Sequence, residues 1–222
     1  MSFETATSIP KAVVFDCFGV LYADRFRERL DALPQEVQAI CWQLDTENST
    51  GQLSDEDFYT QLAPLMSAPA DELQLDFNDT GQLTPGMTDL IADVHANGTP
   101  TFMLTNIDSR GFLNPFLDKE YAPGKRVRDL FGEGGKYIVA SCDVGILKPE
   151  PGIYRALAEL TGTMIRDWFY VDDSSANVRT AHAYGALTYR FHGENTVVGL
   201  RRALAACGVL PPTPVQISDE SA

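Results

Sequence analysis

The sequence predicts an α/β protein: a Rossmann-like three-layer αβα core around a parallel sheet, with a small α-helical cap subdomain inserted into it. Two observations carry the prediction. Five short apolar runs, separated by helical patterns, have the length and composition of strands buried on both faces. The first two stand about 85 residues apart, far more than one crossover helix needs, and the excess is itself helical.

The strand candidates are Ala12-Val13-Val14-Phe15, Thr101-Phe102-Met103-Leu104, Tyr137-Ile138-Val139-Ala140, Trp168-Phe169-Tyr170-Val171 and Ala186-Leu187-Thr188-Tyr189. Between them, Met87, Leu90, Ile91 and Val94 recur at helical spacing after Pro85 and stop at Gly98. Ile153, Tyr154, Leu157 and Leu160 do the same and stop at Gly162. Inside the insertion, Phe26, Leu30, Leu33, Val37, Ile40, Cys41 and Leu44 mark one apolar stripe, with Pro34 able to open a second helix. Phe58, Leu62 and Leu65 mark another, capped by Ser54 and charged favourably at its start by Asp55, Glu56 and Asp57. The expected domains are residues 1–21 and 85–210 for the core and 22–84 for the cap. A proline-bearing tail, 211–222, is expected to be extended or disordered, and the segment from 114 to 136 is longer than the fold needs.

With 17 basic against 31 acidic residues the net charge is −14, which repels nucleic-acid backbones and anionic membranes. A small phosphorylated metabolite remains compatible, because a metal ion reverses the sign of the field inside a cleft. Residues 1–11 lack the apolar core of a secretion signal, and no run approaches the roughly 20 apolar residues of a membrane span. Cys17, Cys41, Cys142 and Cys207 show no CxxC spacing, so a cytoplasmic protein with reduced thiols is expected.

In a parallel sheet the carboxyl ends of the strands converge on one rim, where ligands bind. Asp16 follows the first strand, Thr105 the second, and Asp172 and Asp173 the fourth, while Lys148 lies in the loop after the third. Each alone reads as well as a helix cap or a surface charge; together they make a pattern. Val13-Val14-Phe15-Asp16-Cys17-Phe18-Gly19-Val20-Leu21 resembles the first motif of haloacid dehalogenase-like hydrolases, and Met103-Leu104-Thr105-Asn106 the second. Gly145-Ile146-Leu147-Lys148-Pro149-Glu150-Pro151-Gly152-Ile153-Tyr154 resembles the third, and Tyr170-Val171-Asp172-Asp173-Ser174-Ser175-Ala176-Asn177-Val178 the fourth.

That resemblance implies a mobile cap over the core, a Mg²⁺ cofactor and Asp16 as the nucleophile that becomes an aspartyl phosphate. It implies metal ligation by the Asp16 carboxylate, the Phe18 backbone carbonyl and an aspartate of the fourth motif, Asp173 being favoured as the direct ligand and Asp172 as an outer one. Thr105 would offer a hydroxyl and Asn106 a backbone N–H to the transferring group, and Lys148 would neutralise charge beside them.

One position departs from the family. Phosphatases of this kind usually carry a second aspartate two residues past the nucleophile, as the proton donor to the leaving group; here it is Phe18. Three readings follow. The favoured one is a phosphatase whose substrate has a good leaving group, or which recruits an acid from the cap, where Glu28, Asp31, Asp45, Glu47 and Asp57 are available. The second is a metal-free carbon–halogen hydrolase, which an aromatic residue at 18 suits but the paired Asp172 and Asp173 do not. The third is a catalytically silent binding protein. Of Arg25, Arg27 and Arg29, one could grip an anion, at least two being expected as surface charge. His95 and His182 read as structural, His192 as a distant candidate for the rim, and Trp42 and Trp168 as packing.

Overall fold

The computed structural model describes residues 8–192 and 196–212; most of the expected tail lies outside the described residues. In chain order the elements are β1 (Ala12–Phe15), α1 (Arg25–Leu30), α2 (Gln35–Ser49), α3 (Asp55–Met66), α4 (Ala70–Phe77), α5 (Met87–Ala96), β2 (Thr101–Thr105) and α6 (Arg110–Asp118). There follow a small hairpin of β3 (Glu120–Ala122) and β4 (Lys125–Arg126), then β5 (Ile138–Ala140), α7 (Ser141–Val144), α8 (Pro151–Thr161), β6 (Trp168–Asp172), α9 (Ser175–Ala183), β7 (Leu187–Arg190) and α10 (Val197–Ala206). None of these helices is long and apolar enough to cross a membrane.

β5, β2, β1, β6 and β7 pair in that order, every pair parallel. The connections run from β1 outward to β5 and then return to the other side of β1, so the chain changes direction between β1 and β6. β1, β2, β5 and β6 are buried on both faces while the edge strand β7 is only partly buried, and the pleat sorts the side chains strictly. Val13, Phe15, Met103, Phe169 and Val171 pack on one side with Leu90, Ile91 and Leu200; Ala12, Val14, Phe102, Leu104, Trp168 and Tyr170 pack on the other with Ile153 and Leu157. Trp168 is fully buried and donates its indole N–H to Thr163 Oγ1 at 2.6 Å.

Helices α1 to α4 enclose a third apolar cluster of their own, built on Leu30, Cys41, Leu44, Phe58, Leu62, Leu73 and Phe77. Ser54 accepts from the Asp57 N–H at 3.1 Å and so caps α3. Two expected members of these stripes face outward instead: Ile40 is 49% exposed and Leu160 50%. The buried line of α2 runs Cys41, Leu44, Asn48, and Ile40 stands about 100° round the helix from Cys41. Trp42 is likewise 38% exposed, its ring against Phe26 and under the Arg27 guanidinium rather than in the core.

The chain enters and leaves this helical unit side by side. Tyr22 bridges Leu83, Ala23 N–H donates to Gln82 O at 3.0 Å, and Thr84 N–H donates to Leu21 O at 2.9 Å. The long connection through residues 114 to 136 is neither loop nor lid. It places Val127, Leu130 and Phe131 in the core, Phe131 edge-on to Phe15, and so walls one flank of the sheet.

Candidate active site

Asp16 leaves β1 with its N–H still bonded to Val171 O at 2.9 Å, which carries the strand pairing one residue past the last rung. The chain then turns tightly: Leu21 and Tyr22 both donate to Cys17 O, at 2.7 and 2.9 Å. Gly19 sits in this turn at φ +77°, and a β-carbon there would stand 2.7 Å from Cγ of Asp173. Glycine is needed twice over, for the backbone angle and for the approach of that carboxylate.

Lys148 is the hub. Its ammonium lies 2.7 Å from Asp16 Oδ1, 2.9 Å from Asp172 Oδ2 and 2.9 Å from Leu104 O, so all three of its donors are used in a buried position. Asn106 holds the lysine's backbone in place, its Oδ1 accepting the Lys148 N–H at 2.7 Å and its Nδ2 donating to Lys148 O at 2.9 Å. Asp172 is saturated as well: Tyr170 OH at 2.6 Å, Ser174 N–H at 2.8 Å and Asn177 Nδ2 at 3.0 Å donate to it beside the lysine. Thr105 is buried at the end of β2.

Asp16, Asp172 and Asp173 each offer an oxygen within 4.8 Å of the other two. Three carboxylates face two cations, Lys148 and the Arg27 guanidinium that ion-pairs with Asp173, so one negative charge is left over. The titration follows. Burial, then the charge of Asp172, pushes the Asp16 carboxyl well above the usual range, and burial also raises Asp173 despite Arg27. Burial works against Asp172 too, but the Lys148 charge and the hydrogen bonds it accepts bring it below the ordinary value. Lys148 is raised, its two carboxylates outweighing burial. Hard oxygen donors with surplus negative charge are what a divalent cation such as Mg²⁺ fits. Asp172, whose oxygens already accept from four groups, has the least capacity left for it.

Phe18 turns its ring away from any polar role, packing against Phe112, Phe116 and Tyr22 at centroid distances of 6.0, 5.0 and 6.4 Å. Above the rim, between sheet and helices, lies a cavity of about 390 Å³ lined by Asp16, Phe18, Thr105, Asn106, Lys148 and Asp173 below and by Phe26, Trp42, Asp45, Phe58 and Tyr59 above. Of the three arginines of α1, Arg25 and Arg29 are tied to Asp76, and only Arg27 reaches the rim. His95, His182 and His192 are exposed and line no part of this cavity. Cys17 is buried with its thiol pushed up by burial, which suits packing and not redox chemistry.

Three lining groups escaped the sequence reading: the Arg27 contact, Asp24 and Asp108. Asp108 had a signal, since it lies three residues past the end of β2, where the rim rule applies. Burial, then its neighbour Asp55, raises its pKa to about 7. Asp24 had none; it caps α1 by accepting the Arg27 N–H at 2.9 Å, a local duty that hides its place in the cavity.

Known proteins resemble this chain in sequence and in fold. A family model described as haloacid dehalogenase-like hydrolase matches residues 10–185. The sesquiterpene phosphatase astK of Aspergillus oryzae is 29% identical over 182 residues, spanning 79% of this chain and 86% of that one. A HAD-like hydrolase structure from Porphyromonas gingivalis superposes with a TM-score of 0.64 at 22% identity, covering 89% of this chain and 98% of that one. A HAD family enzyme of Bacteroides thetaiotaomicron, crystallised with magnesium and inorganic phosphate, superposes at 0.58 and 21% identity, covering 82% and 93%. With the family motifs on one rim and the family model spanning most of its length, the chain belongs to the haloacid dehalogenase-like hydrolases.

Proposed function

We propose that this hydrolase is a Mg²⁺-dependent phosphoric monoester hydrolase acting on a small phosphorylated metabolite through an aspartyl phosphate at Asp16. The observation that carries this is the buried Lys148 ammonium, paired at once with Asp16 and Asp172 beside Asp173. A carbon–halogen hydrolase without metal has no use for three clustered carboxylates, whereas phosphoryl transfer between anions needs the charge compensation they recruit.

In this reading the Asp16 and Asp173 carboxylates and the Phe18 carbonyl would hold the metal, with Asp172 behind them. When bound, such an ion would supply neutralising charge for the phosphoryl oxygens. The remaining work belongs to the chain. Lys148 opposes the rise that burial imposes on Asp16 and meets the transferring group, the Thr105 hydroxyl and the Asn106 N–H donate to its oxygens, and Arg27 anchors α1 to the rim through Asp173. Residues 22–84 act as the cap that closes the cavity and excludes water.

Phe18 leaves the departing oxygen without the family's usual proton donor, so acyl, aryl and anomeric sugar phosphates, whose leaving groups are good, need no help there. The aromatic side of the cavity, Phe26, Trp42 and Phe58, also suits an apolar alcohol, the class that the relative's name specifies. Beyond a small phosphate ester, neither nucleic acid nor a membrane is expected as a partner, given the net charge of −14.

The test is a screen of p-nitrophenyl phosphate, acetyl phosphate, alkyl phosphates and 2-haloacids, with Mg²⁺ or with a chelator. Phosphate release that needs Mg²⁺ and vanishes in Asp16→Asn is expected. Halide release in the presence of the chelator, or full phosphatase activity in that variant, would overturn the reading.

A further inference from the structure

The sequence offers five cap carboxylates as stand-ins for the proton donor missing at position 18, and the structure separates them. Glu28 is ion-paired to Arg25 on the surface, Asp31 ends α1 exposed, Glu47 accepts from Gln43 and Asp57 from the Ser54 hydroxyl. None of these four lines the cavity; Asp45 does.

Asp45 also differs from the other cavity carboxylates. Asp16 and Asp173 are ion-paired, Asp24 caps a helix, and Asp108 is pressed against Asp55. Among the described residues Asp45 alone of this set has neither a hydrogen bond nor an ion pair, although it is half-buried. It stands on α2 four residues past Cys41, on the flank of that helix's buried line, where its carboxyl faces charges from other parts of the cavity wall. Asp24 and Arg27 act on it from the start of α1 and Asp108 from beyond β2. Arg25, Tyr59 and the rim cluster are the other ionisable groups lining the same space.

We infer that Asp45 is the proton donor to the leaving-group oxygen when the substrate is an alkyl phosphate, performing the step that the ring at position 18 cannot; this rests on the phosphatase reading of the site. In the first half-reaction Asp16 Oδ bonds to phosphorus, the bond from phosphorus to the alcohol oxygen breaks, and that oxygen takes the Asp45 proton. In the second, water attacks the aspartyl phosphate and gives its proton to the Asp45 carboxylate, while the Asp16 carboxylate and inorganic phosphate separate. Each turnover returns Asp45 to its acid form. Its titration suits the duty: burial first, then Asp24 and Asp108, opposed by Arg27, bring it to about 7, so the acid form is populated near neutrality.

The experiment compares two leaving groups in Asp45→Asn: 2-phenylethyl phosphate, which needs a proton, and p-nitrophenyl phosphate, which does not. Expected is a fall in kcat/KM of about 10² or more on the first, with kcat/KM on p-nitrophenyl phosphate, which reports only the phosphorylation of Asp16, changed by less than about threefold while its kcat falls with the slowed second half-reaction, and loss of the wild-type decline in kcat/KM on the first substrate as pH rises through about 7. An equal fall on both substrates, or none on either, overturns the inference. So does the same selective loss in Asp108→Asn with Asp45→Asn unaffected.

Folding of the variant is checked at pH 8. A carboxyl raised in the folded state supports stability fully below its ordinary value of 3.8 and loses that support as pH rises through about 7, so Asp45→Asn is expected to melt no lower than the wild type there. If wild type itself fails to hydrolyse p-nitrophenyl phosphate with Mg²⁺, the phosphatase reading has failed and not the assignment of Asp45.

Discussion

The two walls of the cavity treat charge in opposite ways. On the sheet rim the buried cluster is fully paired: Lys148 spends all three donors, and Asp172 takes bonds from four groups. Across the gap, Asp45 has none and is raised to about 7. A saturated network is rigid and makes its geometry independent of what is bound; an unsatisfied carboxyl keeps a proton to exchange with whatever arrives. Under the proposed reaction, the rim would serve one chemistry and the helical wall the substrate's other end.

The contrast can be broken most sharply at Lys148. Lys148→Met removes the ammonium but leaves Asp16 and Asp172 buried together; activity is expected to fall on the order of 10³ and unfolding free energy by about 3–5 kcal/mol. Urea melts that match the wild type would show that the rim does not depend on this pairing. A milder cut separates the walls themselves. Leu62→Ala empties a fully buried position of the helical cluster, at a cost of about 2–5 kcal/mol. Amide exchange is expected to quicken across α1 to α4 while β1 and β2 stay protected, and equal quickening in the sheet would mean that the clusters melt as one. Smallest is Ser54→Ala, which strips the cap from α3 for about 1 kcal/mol; calorimetry should register it without any change at the rim.

What could be read in advance follows the same division. Strands buried on both faces are uninterrupted apolar runs, so all five of the central sheet could be located to within about a residue, and strand ends put Asp16, Lys148, Asp172 and Asp173 on one edge. Helical stripes were less exact: one residue's error turns a side chain about 100°, as at Ile40, and Leu160, in phase with Ile153, is exposed in the last turn of α8. Asp45 was visible only as one of five equivalent carboxylates. Its distinction is a missing partner and the approach of Asp24, Asp108 and Arg27 from other elements, which spacing along the chain does not encode. The segment from 114 to 136 carried too little periodicity to reveal that Leu130 and Phe131 would fill the sheet's flank.

The paired neck at Leu21–Ala23 and Gln82–Thr84 has a consequence for how such a protein can change. Because the two crossings are stitched to each other, the entropy of bringing the ends of the helical unit together is met at the neck, whatever length of chain lies beyond it. The unit is a cassette. Segments of other lengths and linings could be grafted between the same stitches with Asp16 and its lysine undisturbed, so the surface facing the rim can change while the rim stays as it is.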